Sequence, residues 1–190
     1  MFAVALLLPL ALGASALATP TARQLSGPPN CHVGNVGSFM LVASYNETGD
    51  AKLIVPGGNG DTTATVNYLG TAETVPSPVG RNFTMTNFGL HVITESGVPA
   101  QFGVNVTDNS FLPFVSLQDG TSDNPAPIYC LDAVAGQTPS QLAVNGSPDE
   151  FFVCTSSTSS QDMVVFNPIK VEATGYQFST CKKVQLYIIQ

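Results

Sequence analysis

From about Cys31 onward the chain is a succession of short apolar or threonine-rich runs, each stopped by a cluster of Gly, Pro, Asn or Asp. That spacing is the mark of antiparallel β structure, and no stretch long enough for a helix keeps a 3.6-residue period. SFMLVASYNETGDAKLIVPGG predicts two strands around a turn at Asn46–Asp50, and TATVNYLG predicts a third, with Thr, Val and Tyr suited to a pleated surface. RNFTMTNFGLHVITESG predicts two more that meet near Gly89. AQFGVNVTD, FLPFVSL, APIYCLDA, SQLAVNG, EFFVCTS, DMVVFNP, YQFST and KKVQLYII complete roughly a dozen short strands. The fourteen prolines and seventeen glycines are spread throughout, which suits strand edges and turns and opposes long helices. The expected fold class is all-β: one compact antiparallel domain, a β-sandwich or a barrel-like array, with a β-trefoil among the alternatives. Each of these hides the edges of many short strands.

The amino terminus breaks this pattern. MFAVALLLPLALGASALA is an apolar run followed by small residues, with Ala16 and Ala18 spaced as a signal-peptidase site requires. The run is shorter than the roughly 20 residues that span a bilayer, so residues 1–18 read as a secretory signal peptide rather than an anchor. Residues 19–30, TPTARQLSGPPN, are polar and aperiodic and read as a flexible mature N-terminus, leaving 31–190 as the β domain. The net charge is −7 with only 10% charged residues, so no basic face is available for nucleic acid or for an anionic membrane. With 44% apolar residues the chain has enough to bury, which argues against disorder.

An oxidising route changes the reading of the cysteines. Cys31, Cys130, Cys154 and Cys181 are an even number and imply two disulfides in one of three connectivities. Pairing Cys154 with Cys181 would tie EFFVC to the start of the last strand, and Cys31 with Cys130 would anchor the start of the domain to its middle. The loop-entropy model gives these closures about 3.5 and about 4.7 kcal/mol respectively. Zinc is the competing reading, but no C-x-x-C pair exists and only His32 and His91 could complete a site, so no metal and no cofactor are expected. The tripeptides at Asn46, Asn82, Asn105 and Asn145 fit the N-glycosylation pattern, the last the poorest because Pro148 follows it.

In the C-terminal third, LAVNGSPDEFFVCTSS and then GYQFSTCKKVQLYIIQ place Phe151 and Phe152 before Cys154, Tyr176 and Phe178 before Cys181, and Val184 and Leu186 in a terminal V-x-L strand. This arrangement resembles the closing pattern of small secreted fungal proteins of the phialide-type cell-wall (PhiA-like) family. It spans about a quarter of the chain. The family's cysteine often follows a Trp or Tyr, whereas this chain has no Trp, and residues 50–125 do not align. The resemblance implies a secreted, wall-associated fungal β protein and carries over no catalytic residue.

The recognised catalytic patterns are missing. No G-x-S-x-G occurs, and neither histidine has a nucleophile or orienting carboxylate in its sequence neighbourhood. Adjacent Asp149 and Glu150 would face opposite sides of a strand, so they do not read as a glycosidase pair. VPGGNGD, residues 55–61, has no following Lys-Ser/Thr or helix and reads as a turn. CTSSTSSQD, residues 154–162, reads as a mobile loop. The expectation is therefore a secreted, N-glycosylated, non-catalytic extracellular or cell-wall protein. A carbohydrate-binding, lectin-like module is the alternative and a small hydrolase is less favoured. If cell-wall polysaccharide is the partner, Tyr45, Tyr68 or Tyr129 are the candidate sugar platforms, because a tyrosine can expose one face and keep its tip wet.

Overall fold

The structure is a computed structural model that describes residues 28–29, 31–57, 66–76, 78, 80–93, 99–116, 125–132, 139–170 and 175–190. Residues 1–18, where a signal peptide is expected, nearly all of the N-terminal segment and the glycines of VPGGNGD beyond Gly57 lie outside these residues. The described chain is all-β. Its strands are β1 (Val36–Tyr45), β2 (Ala51–Gly57), β3 (Val66–Thr71), β4 (Asn82–Thr86), β5 (Gly89–Ile93), β6 (Pro99–Gly103) and β7 (Ser110–Phe111). They continue as β8 (Pro113–Ser116), β9 (Tyr129–Asp132), β10 (Gln141–Val144), β11 (Phe151–Thr155), β12 (Asp162–Phe166) and β13 (Lys182–Ile189).

Local turn chemistry makes the hairpins. After β1 the chain turns through 46–50, where Gly49 takes φ +74° and Tyr45 and Asp50 close the turn with a 2.9 Å backbone hydrogen bond. β4 and β5 meet through Asn87 and Phe88, both at positive φ, in the two-residue geometry that matches strand twist. A phenylalanine rarely adopts that conformation. Here its N–H donates to the Gly34 carbonyl at 2.9 Å, and a Cβ on Gly34 would come within 2.5 Å of the Phe88 ring, so only glycine fits beneath it.

Antiparallel pairing then closes a ring of nine strands, β1-β4-β5-β6-β8-β3-β12-β11-β13, with β13 returning to β1 through six residue pairs from Met40↔Ile189 to Tyr45↔Val184. β2 pairs with both β1 and β3, β7 adds to β12, and the β9–β10 hairpin extends from β13. Of the expected alternatives, the barrel is realised and the sandwich is not. Register breaks in β1 between Val36 and Phe39, and at Val92/Ile93 in the β5–β6 ladder, supply the bending a closed sheet needs.

Inward side chains fill the ring. β13 alternates buried Val184, Leu186 and Ile188 with more exposed neighbours, the period-2 pattern of a half-buried strand. Phe39 stacks on Phe83, Phe83 meets Phe114 edge-on, and Phe151 meets Phe166 edge-on at 5.6 Å between centroids. Each such ring contributes roughly 1.5–3 kcal/mol by leaving water.

Both expected disulfides are present, and register explains them. β11 faces β13 as Phe151↔Val184, Phe152↔Lys183 and Val153↔Lys182, so one further step sets Cys154 opposite Cys181, their Cα atoms 4.0 Å apart. At the other site Val33 bridges Leu131, which carries Cys31 toward Cys130 with Cα atoms 5.5 Å apart. One expected strand is absent: YQFST forms only a Tyr176 bridge to Ser156 and then a 3-10 turn over 178–180. The Thr180 hydroxyl donates to the Gln177 carbonyl at 2.7 Å, a local bond that competes with a ladder.

Candidate functional site

The β1–β2 hairpin, the β11–β12 pair and the 3-10 turn before β13 enclose an open cleft of about 610 Å³, within the size range of small-molecule sites. Tyr45, Glu47 and Thr48 come from the end of β1 and its turn, and Asp50 and Lys52 from the start of β2. Val153, Thr155 and Asp162 line it from β11 and β12, and residues 179–182 form the remaining wall.

The walls are fastened from behind. Cys154–Cys181 joins two of them, and the Thr155 N–H donates to Thr180 Oγ1 at 2.8 Å across the same seam. The Thr155 hydroxyl donates to Asp162 Oδ1 at 3.1 Å, and the Asp162 N–H donates to Thr74 Oγ1 at 3.0 Å. Lys52 Nζ lies 2.8 Å from Glu73 Oε2 and 5.9 Å from the centroid of the Tyr45 ring. The Glu73 hydrogen bond holds the Lys52 ammonium above its ordinary pKa, with burial acting in the opposite sense. Burial raises the Tyr45 phenol, Lys52 partly offsets this, and Asp162, Glu73 and Asp50 add to it, so Tyr45 presents a protonated hydroxyl at neutral pH.

Of the three sugar-platform candidates only Tyr45 lies in the cleft, and it is 7% exposed, with Lys52 over its ring. At that burial it presents no open aromatic face. Tyr129 corrects the expectation: it is completely buried, because the β9 ladder turns it into the barrel core. Tyr68 is half-buried against Phe111, ring centroids 5.2 Å apart, away from the cleft.

His91 sits in β5, buried between Thr84 and Phe102 on the flanking strands, and exposed His32 is elsewhere on the molecule. Asp149 and Glu150 lie just before β11 and do not line the cleft. In CTSSTSSQD, Cys154 and Thr155 end β11, Asp162 opens β12, and the residues between them form a hydrogen-bonded turn: the Ser156 N–H donates to the Gln161 carbonyl at 2.7 Å, and Ser156 Oγ accepts from the N–H groups of Thr158 and Ser159. The sequon asparagines Asn46, Asn105 and Asn145 are exposed, while Asn82 is half-buried at the start of β4.

Sequence reading passed over Lys52, Thr155, Asp162, Thr180 and Lys182. No local motif marks them, since only the pairing of distant strands makes them neighbours. Among the described residues no group of three or more His, Cys, Asp or Glu is placed to hold a metal ion. Comparison with known proteins gives no match: no family model, curated protein or solved structure matches this chain.

Proposed function

We propose that this is a secreted, N-glycosylated, non-catalytic protein of the extracellular space or fungal cell wall, of the PhiA-like kind that its C-terminal third resembles. The observation that carries the reading is the pair of disulfides, with no free cysteine among the described residues. Such bonds persist in oxidising compartments and are rare where glutathione keeps thiols reduced. Two of the cleft's ionisable side chains are engaged in holding its walls, Lys52 with Glu73 and Asp162 with Thr155, and their engagement supports a structural or binding role over acid–base work. A second reading, a carbohydrate-binding β-module, is favoured by the polar lining of the cleft.

Expression in a filamentous fungus tests the proposal. The protein is expected in the medium and in the wall fraction, and inert toward a panel of polysaccharide and ester substrates. Retention inside the cell, or turnover of any substrate that is lost in an Asp162→Asn variant, would overturn it.

A further inference from the structure

We infer that the cleft beside Tyr45 binds an uncharged oligosaccharide, a deepening that rests on the carbohydrate-binding reading above. Ten of its twelve lining residues carry polar side chains, so an apolar ligand would gain little there. Around its rim the exposed carboxylates of Glu47 and Asp50 accept hydrogen bonds, the exposed Lys182 ammonium donates them, and the Ser179 hydroxyl does either. A sugar hydroxyl is both donor and acceptor and is met by both kinds of partner. Glu47, Asp50 and Asp162 stand against Lys52 and Lys182, and Glu73 occupies the Lys52 charge, so the acid excess repels polyanions.

Preorganisation is the second ground. The wall that carries Ser179 and Lys182 is tied to β11 by a disulfide and by the Thr155–Thr180 bond, so little ordering cost remains when a ligand arrives. Because Lys52 lies over the Tyr45 ring, recognition comes from hydrogen bonds rather than from stacking on an open aromatic face. The alternating strand supplies an internal control. Lys182 lines the cleft, whereas Lys183, next to it on β13, does not.

The test is calorimetric titration of the purified secreted protein, before and after enzymatic removal of its N-glycans, with soluble oligomers of β-1,3-glucan, chitin and α-mannan. Chitosan and polygalacturonate oligomers serve as charged comparators. Saturable binding of at least one uncharged oligomer is expected, weakened about tenfold or more in an Asp50→Ala/Lys182→Ala double variant and unchanged in Lys183→Ala. Thermal unfolding of both variants checks that they are folded. Binding that emerges only after glycan removal supports the site, with sugar on nearby Asn46 acting as its cover.

Three results overturn the inference: no uncharged oligomer binds, Lys183→Ala weakens binding as much as the double variant, or only a charged comparator binds and is released by salt. Wall retention without oligomer binding removes this site and leaves the extracellular reading standing. Binding accompanied by hydrolysis does the reverse for the non-catalytic assignment.

Discussion

Tyr129 carries a phenol into a place that phenylalanine would fill. It is fully buried, its hydroxyl has no hydrogen-bond partner among the described residues, and Gly103 leaves room for its ring, since a Cβ there would lie 2.8 Å from it. Burial pushes the phenol well above the ordinary tyrosine range, so in the folded state it stays protonated where an unfolded tyrosine ionises. The stability that follows from this difference is fully present below about pH 10 and is lost as the pH rises beyond it. Tyr129→Phe is expected to be neutral or stabilising by about 1 kcal/mol in urea unfolding at pH 7, and to decline less steeply above pH 10 than the parent. A loss of several kcal/mol at neutral pH would show that the hydroxyl has a partner. The exposed sequons give a separate test: Asn46→Gln and Asn105→Gln should each remove one glycan's mass from protein secreted by a fungal host, and an unchanged mass at either marks an unused site.

Strands were largely legible, and their partners were not. β1, β2, β4, β5 and β10 to β13 fall on runs whose alternation and turn residues are local properties of the chain. YQFST failed because the Thr180 hydroxyl bonds the Gln177 carbonyl three residues back, a local bond that competes with a ladder. The pairing of β3 with β8 and β12, or of β1 with β13, depends on side chains meeting across long loops, which no local pattern encodes. The Cys154–Cys181 bridge was readable because β11 and β13 lie close in sequence. Replacing Cys154 with Ser should cost about 2–5 kcal/mol by non-reducing denaturant unfolding, and should also weaken any ligand of the cleft, whose wall it releases. A variant that unfolds at the parental denaturant concentration would show that the register alone holds that seam.

At the scale of the molecule, the cleft exists only because the barrel is closed. Its walls come from residues 45–52, 153–162 and 179–182, stretches brought together when β13 docks on β1. Tyr45 stood among the sequence candidates, although it presents no open face, whereas the cleft's lysines and hydroxyls did not, because sequence distance conceals them. Truncation after Cys181, which removes β13, should leave β1 and β11 as open edges and prevent secretion of folded protein, measured as loss of the extracellular band and of a cooperative melt. A secreted, cooperatively melting truncate would mean the remaining strands form a stable sheet without closure. Closure by the last strand also sets an order of events in time. On the proposed secretory route the chain enters an oxidising lumen from its N-terminus, so Cys31 and Cys130 both arrive before Cys181, and the first bridge can form while Cys154 still lacks its partner. On that proposed route each sequon likewise enters as open chain, so Asn82 would meet the glycosylation machinery before the barrel half-buries it.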